Sequence, residues 1–389
     1  MPAIRVYEFD NLGRLIHDRV TTLGSGVDGL VRRISTVYNI VGQIEKITSY
    51  DNATVGSGNA VNEVRYEYDT NGLLAKEYQN PSGNVDSSSL YVGYTYDTAK
   101  SGEFFIKRLR PTSLRYPSDT TINYVYGANN SVDDKLNRFT AIKKDNMNIV
   151  EYLDAGLSTP MKVSYPQPGL ELDYTASNAH DRFNRITDHA WKNASGNDVV
   201  RIKHGYERVG NRLYREDVAA TSAGKAFDEL YSYDGVNQLI DMQRGTLGAN
   251  KTSIVSQYKN WEEQFAFDAT GNFANYKQDQ NGDGTFELNQ NRVHNKVNEI
   301  TSIAGVSTYV SSDKNGNMTK VPKSDNWSSA FNLVYDAWNR LVKVYDSNGT
   351  TLIAGYQYDG LNRRVMKKTY TNGTLSETEL WSIVVYEIF

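Results

Sequence analysis

The sequence predicts an all-β fold, built from tandem antiparallel β-hairpins that follow one another in a single spiralling sheet. One phrase, Tyr-x-Tyr-Asp followed by a turn containing Gly or Asn, recurs along the 389 residues. The composition has 28 Tyr and 30 Gly but 8 Pro, which favours many short, half-exposed strands joined by tight turns. Helical periodicity is weak, so strands are expected nearly everywhere.

Each copy of the phrase predicts one hairpin. Tyr356 and Tyr358 are two residues apart in a strand and therefore share a face. Asp359 ends that strand, and its carboxylate can accept hydrogen bonds from backbone N–H groups two residues on. A residue that tolerates positive φ comes next, and the returning strand follows. The residues predicted to have positive φ are Gly13, Gly72, Asn211, Gly271, Gly316, Asn339 and Asn362.

The copies extend over nearly the whole chain. Clear copies begin at Tyr7, Tyr66, Tyr94, Tyr231, Phe265, Leu333 and Tyr356, and degenerate copies begin at Val37, Ala179, Gly205 and Val310. A lone hairpin is marginally stable, so a train of them must stack into a solenoid, a propeller or a rolled sheet. The irregular spacing fits a spiralling sheet with loop insertions.

The predicted organisation is one repeat region over residues 1–389. Residues 145–175 hold three of the eight prolines and are predicted to form an irregular connection. Structural roles in the repeat are assigned to Tyr7, Asp10, Gly13, Tyr66, Tyr68, Asp69, Gly72, Tyr94, Tyr96, Asp97, Tyr231, Tyr233, Asp234, Asp268, Gly271, Tyr335, Asp336, Asn339, Tyr356, Tyr358, Asp359 and Asn362.

Composition excludes several classes of function. The net charge of −4 and the pI near 5.8 give no basic footprint for nucleic acid and no polybasic membrane patch. The absence of cysteine excludes disulfides, thiolate metal sites and a cysteine nucleophile. The first residues show no secretory signal, and no apolar run reaches the ~18 residues of a membrane helix.

The iterated Tyr-x-Tyr-Asp-x-x-Gly/Asn-Arg-Leu pattern resembles the YD-repeat, or Rhs, proteins of bacteria, whose animal relatives are the teneurins. The best matches are Tyr7–Leu15, Tyr66–Leu73 and Tyr356–Arg363. The resemblance implies a hollow β-shell, which in polymorphic toxins of the family encloses a C-terminal toxin. Toxin-bearing members end the shell with an Asp-Pro-rich motif. This chain has no Asp-Pro dipeptide and no toxin-like segment, so a fragment of a longer shell is expected.

No residue pattern predicts an enzyme. An Asp that recurs in every turn is better explained by turn geometry than by an acid–base pair. The sequence has no Gly-x-Ser-x-Gly elbow and no phosphate-binding glycine loop. His180 and His189 flank one hairpin and can approach each other across it, but a polar strand face is the better explanation for them.

One segment, "DQNGDGTFELNQ", matches the start of a calcium loop. Its candidate ligands are Asp279, Asn281, Asp283 and Glu287. Gln290 stands where a bidentate Glu is expected, so any calcium site would be weak. The alternative is a polar turn built on Asn-Gly-Asp-Gly. No other cofactor is predicted.

The expected function is therefore that of a non-enzymatic scaffold, the Rhs-type shell that encloses a toxin or effector. Its expected partners are the rest of its own shell and a toxin cargo, and its expected location is secreted or at the cell surface. The alternative is a surface adhesin whose tyrosine stripes bind carbohydrate or protein. An enzyme is a third hypothesis, and it would need a convergent site that the sequence does not display.

Overall fold

The computed structural model describes residues 3–97, 110–155, 159–175, 179–323 and 326–381. Its elements are nearly all antiparallel β-strands, which confirms the predicted fold of tandem hairpins. No helix in these ranges is both long enough and apolar enough to cross a membrane. The chain divides into two compact units, one formed by residues 1–121 and 306–389 and the other by residues 122–305.

The first unit combines both ends of the chain. Its N-terminal strands are β1 (Ile4–Phe9), β2 (Leu15–Thr22), β3 (Arg33–Tyr38), β4 (Ile44–Tyr50), β5 (Ala60–Tyr68), β6 (Leu74–Asn80), β7 (Leu90–Asp97) and β8 (Arg110–Arg115). Each of these strands pairs with the next. A buried cluster of Val31, Ile34 and Ile47 lies on this sheet.

The second unit begins in β9 (Thr121–Tyr126). It continues through α1 (Val132–Lys135), β10 (Phe139–Lys144), β11 (Met147–Ala155), β12 (Thr159–Tyr165), β13 (Leu170–Asp173), β14 (Asp188–Asn193), β15 (Asp198–Tyr206), β16 (Arg212–Asp217), α2 (Val218–Ser222), β17 (Asp228–Tyr233), β18 (Leu239–Gly245), β19 (Trp261–Phe267), β20 (Phe273–Asp279), β21 (Leu288–His294) and β22 (Ile300–Ile303). Its core cluster is Val150, Val163, Leu172, Tyr174 and Ala179.

The chain then returns to the first unit. The strands are β23 (Ser311–Ser312), β24 (Met318–Lys323), β25 (Asn326–Tyr335), β26 (Leu341–Tyr345), β27 (Leu352–Tyr358), β28 (Arg364–Thr371) and β29 (Thr374–Leu380), again paired in order.

The irregular connection predicted at residues 145–175 is wrong, because that segment contains β11, β12 and β13. Pro166 and Pro168 lie in the turn between β12 and β13, which the Gly169 N–H closes onto the Pro166 carbonyl at 3.3 Å. Proline in a turn leaves no ladder hydrogen bond unmade, so it does not break the sheet.

Candidate functional site: the repeat turns and the acidic loop

The recurring phrase folds into one five-residue turn. The residue at its first position donates its N–H to the carbonyl of the fifth, and the fourth donates its N–H to the carbonyl of the first. The strand register shifts one residue before the turn in the hairpins at Asp69, Asp234 and Asp359, as in a type I turn followed by a bulge. These turns begin at Asp10, Asn39, Asp69, Asp181, Asn193, Glu207, Asp234, Asp268, Asn295, Asp313, Asp336 and Asp359, and the same two bonds form at Tyr116.

The first side chain organises the turn. In the Asp359 turn, Oδ1 accepts the N–H groups of Leu361 at 2.9 Å and Arg363 at 3.0 Å. The same pair of bonds reaches Oδ1 of Asp10 and Oδ1 of Asn39. The backbone N–H of Leu73, with further N–H donors, holds the pKa of Asp69 below its usual range. The Oδ1 atom held in this way serves the backbone of its own turn.

The fourth position has positive φ. The structure gives positive φ to Gly13, Gly72, Gly271, Gly316, Asn339 and Asn362, but not to Asn211. In that turn the left-handed residue is Gly210, because the turn begins at Glu207 and not one residue later. Because Glu stands where the other copies have Asp or Asn, the sequence pattern placed the start of this turn one residue too late.

At six places in the described part of the chain, a tyrosine at the end of the outgoing strand binds the preceding hairpin. Its hydroxyl donates to the carbonyl of the residue that opens the previous return strand, for example Tyr358 to Leu341 at 3.0 Å and Tyr68 to Ile44 at 2.7 Å. The other bonds of this type are Tyr38–Leu15, Tyr96–Leu74, Tyr206–Ile186 and Tyr233–Arg212. These six hairpins are thus tied to the hairpin before them in sequence.

The fifth position makes a second link between neighbouring turns. Arg185 Nη1 donates to the Glu207 carbonyl at 2.9 Å, and Arg340 Nη1 donates to the Asp359 carbonyl at 3.0 Å. Side-chain amides make equivalent links at Gln43–Gly72, Asn211–Asn237, Asn272–Asn298 and Asn317–Asn339. The turns therefore stack in register along an edge of the sheet in each unit.

Two of these turns pack on the face of the first hairpins in the first unit. Trp338 Nε1 donates to Asp18 Oδ2 at 2.8 Å, and its ring packs against the Val31–Ile34–Ile47 cluster. Asn62 Nδ2 donates to the Tyr358 carbonyl at 2.9 Å. We call this contact the seam; its residues are Asp18, Ile34, Ile47, Asn62, Glu77, Trp338, Tyr358, Gly360 and Arg363.

The seam contains a buried charge cluster. Arg363 Nη2 binds Glu77 Oε1 at 2.6 Å, and Arg363 Nε donates to Asp359 Oδ2 at 2.7 Å. Glu77 is 2% exposed and Asp359 is 1% exposed. Desolvation raises the pKa of Glu77, and Arg363 offsets this in part. One guanidinium therefore serves two carboxylates that lie on segments far apart in sequence.

The acidic loop brings its predicted carboxylates together. Ligand oxygens of Asp279, Asp283 and Glu287 lie within 4.8 Å of one another. Asn281 belongs to the loop itself: its Oδ1 accepts the Asp283 N–H at 2.8 Å, and its Nδ2 donates to Glu287 Oε1 at 3.1 Å. The twelfth residue, Gln290, is buried and accepts from Arg292 Nε at 2.8 Å.

Asp279 is fully buried and already holds backbone donors. Its Oδ1 accepts the Gly282 N–H at 2.6 Å, and its Oδ2 accepts the Gly284 N–H at 2.8 Å. Desolvation opposes ionisation of this carboxyl, but the backbone donors outweigh it and lower its pKa. The arrangement fits both a weak cation site and a polar turn.

The two histidines singled out in the sequence contact the same ring. Tyr174 lies 5.2 Å from His180 and 5.6 Å from His189, centroid to centroid. His189 Nε2 accepts from Trp191 Nε1 at 3.0 Å, and desolvation lowers the pKa of His189. A nitrogen occupied in this way is not available to a metal.

Six of the predicted Asp residues open the five-residue turn, namely Asp10, Asp69, Asp234, Asp268, Asp336 and Asp359. Asp97 ends β7 and pairs with Arg110 at 3.3 Å, while the turn predicted after it falls in residues 98–109, outside the described part. Sequence reasoning missed the turns at Asn193 and Asn295, where Asn replaces Asp and no Tyr-x-Tyr precedes. Their signal was a Gly or Asn three residues later, Gly196 and Asn298.

Comparison with known proteins gives one family match, to the last part of the repeat region. The family model of the RHS repeat matches residues 335–375, which contain the turns at Asp336 and Asp359. The resemblance noted in the sequence is thereby confirmed. No curated protein matches the chain.

Solved structures show a similar fold over nearly the whole chain. A Photorhabdus luminescens Tc holotoxin pore with a substitution in TccC3 is 11% identical, with a TM-score of 0.63 over 95% of this chain and 19% of that one. A TcdB2-TccC3 crystal structure is 12% identical, with a TM-score of 0.62 over 94% and 20%. The chain thus spans about a fifth of the length of these relatives.

Proposed function

We propose that this chain is a non-enzymatic segment of an exported Rhs-type wall that encloses a toxin or effector. The observation that carries the proposal is the linkage from one hairpin to the next. Tyrosine hydroxyls and fifth-position side chains tie successive turns together, so the repeats build extended sheets and not separate sites. The likeness in fold to toxin-complex chains supports the same role.

The state of the repeat carboxylates supports a structural role over catalysis. Asp10, Asp69 and Asp359 each direct Oδ1 at two backbone N–H groups of their own turn. A general acid needs a carboxyl that holds a proton near the working pH. The pKa values of Asp10 and Asp69 are lowered by those backbone donors, so these carboxyls do not carry the proton that a general acid needs.

The test is cryo-electron microscopy of the full product of the natural gene. The proposal expects density for non-repeat polypeptide surrounded by a wall of hairpins, and that polypeptide should resist protease in the intact particle. An open sheet with both faces in solvent, together with rapid cleavage of everything outside the repeats, would contradict it.

The alternative is a surface that binds glycans or proteins, and exposed aromatic side chains favour it. Phe9 is 59% exposed, Phe183 is 56% exposed and Tyr258 is 50% exposed. Aromatic faces in solvent can stack on sugar rings. A glycan array probed with the folded chain tests this directly, and a blank array would remove the alternative for carbohydrate.

We also propose weak calcium binding by the acidic loop, supported by the convergence of Asp279, Asp283 and Glu287. Titration calorimetry at millimolar Ca²⁺ should give heat with the natural chain. It should give none with Asp283→Asn or Glu287→Gln, which change exposed side chains and leave the buried Asp279 in place. No heat from the natural chain rules the site out.

A further inference from the structure

Two buried carbonyl oxygens, one in the seam and one beside it, accept no hydrogen bond from any residue that the structure describes. They are Asn62 Oδ1 on β5 and Gln357 Oε1 on β27. Asn62 is 2% exposed. Burying an acceptor without a donor is costly, so each of these oxygens calls for a partner.

The orientation of Asn62 is fixed by its other atom. Its Nδ2 donates to the Tyr358 carbonyl at 2.9 Å. If the amide were flipped, Oδ1 would face that carbonyl oxygen, and two acceptors would meet with no proton between them. The atom without a partner is therefore an acceptor, and it needs a donor.

Both residues line the same small cavity. Its volume is about 10 Å³, and Asp336, Arg340 and Tyr358 line it as well. This is the volume open to the centre of a water-sized sphere, and roughly 10–15 Å³ of it is enough for one water molecule. A water supplies two O–H donors, which is the number that the two oxygens need, and its own oxygen can accept from a donor.

We propose that one ordered water occupies this cavity and bridges Asn62 Oδ1 to Gln357 Oε1 across the seam. Arg340 provides the donor for the water oxygen. Its guanidinium also binds Asp336 Oδ2 at 2.7 Å and the Asp359 carbonyl at 3.0 Å, which holds it at the cavity wall. The water thus belongs to the contact between the first hairpins and the C-terminal turns.

A metal cation fits the same place less well. The guanidinium of Arg340 would repel it, and the nearby Asp28 carboxylate is already paired with Lys343 at 2.6 Å. The two possibilities differ in geometry, since a water lies roughly 2.7–3.2 Å from its hydrogen-bond partners. A metal ion would lie closer and would gather more oxygens.

A high-resolution crystal structure of the full chain tests the proposal. The expected result is a single density peak in the cavity at hydrogen-bond distance from both oxygens. A cavity without density, direct contact between the two side chains, or a peak with metal-like distances would overturn it.

A variant gives an independent readout. Gln357→Leu removes one acceptor, and Gln238→Leu, at the fifth position of the exposed Asp234 turn in the other unit, is the control for the loss of a glutamine amide. If the water is present, Gln357→Leu leaves Asn62 Oδ1 or the water without a hydrogen-bond partner. The melting temperature then falls by several degrees relative to the control. If no water binds the two oxygens, the substitution removes a buried acceptor that has no donor. An unchanged or raised melting temperature therefore overturns the proposal.

Discussion

The turns at Asp234 and Asp359 have nearly the same sequence but different surroundings. The segments are "YSYDGVNQ" from Tyr231 and "YQYDGLNR" from Tyr356. In both, the Asp Oδ1 accepts two backbone N–H groups at 2.8–3.0 Å, and the Asn at the fourth position has a φ of 66°. In both, the tyrosine before the Asp donates to the preceding hairpin. The local sequence is therefore sufficient to form the turn.

The difference lies in what covers each turn. Val236, at the third position of the Asp234 turn, is 71% exposed, and a Cβ added at Gly235 would meet no heavy atom within 4 Å. Asp359 is buried, and a Cβ at Gly360 would overlap Ile47 and lie 3.0 Å from Ile34 Cγ2. The same motif closes an exposed hairpin in one place and joins two distant chain segments in the other.

The largest expected effect on stability comes from removing the positive charge of Arg363 at the buried Asp359 turn. Arg363→Met leaves Glu77 and Asp359 buried without their shared cation, and should lower the free energy of unfolding by about 3 kcal/mol. The matched change at the exposed turn, Gln238→Met, removes no charge and should stay within about 0.5 kcal/mol. Urea unfolding measures both, and equal losses would show that the surroundings of the two turns do not matter.

The paired glycines give a smaller but sharper test. Gly360→Ala forces a methyl group into Ile47 and should cost about 1–3 kcal/mol as overpacking. Gly235→Ala places the same methyl group in open space, and neither glycine has positive φ, so the change should be close to neutral. Thermal unfolding of the two variants checks this, and a neutral Gly360→Ala would contradict the packing of the seam.

The pH dependence of Glu77 should give the smallest effect. Burial raises the pKa of Glu77 in the folded state, so the unfolded chain loses this proton first as the pH rises. The stability contributed by this group is present below the ordinary glutamate pKa and is lost as the pH rises through the folded value. Glu77→Gln removes that loss, so its melting temperature relative to the natural chain should be higher at about pH 8 than at about pH 4. A difference independent of pH would contradict the assignment.

The features predicted from sequence are those that local chemistry controls. Asp359 ends a strand because its carboxylate caps the next N–H groups, and Asn362 tolerates positive φ wherever the turn lies. Two errors have the same local origin. Glu207 replaced the expected Asp and shifted the predicted left-handed residue, and turn prolines at Pro166 and Pro168 suggested an irregular segment.

The seam could not be predicted in this way. Glu77 and Arg363 are 286 residues apart, and each reads locally as an ordinary polar residue of a strand or a turn. Trp338 occupies a turn position that is exposed in other copies, so its contact with Asp18 leaves no periodic signal. Which turn is buried depends on how distant hairpins pack together, and the local repeat pattern does not specify that packing.

An engineered disulfide tests the seam most directly. The chain has no cysteine, and a Cβ at Gly360 would lie 3.5 Å from Ile47 Cβ, within the usual range for a disulfide. The double variant Ile47→Cys with Gly360→Cys should oxidise to a bridged monomer that migrates faster on a non-reducing gel. Gly13→Cys with Gly360→Cys should remain unbridged, because a Cβ at Gly13 has no heavy atom within 4 Å. Free thiols in the first variant, on folded protein, would contradict the packing of the Asp359 turn on the first hairpins.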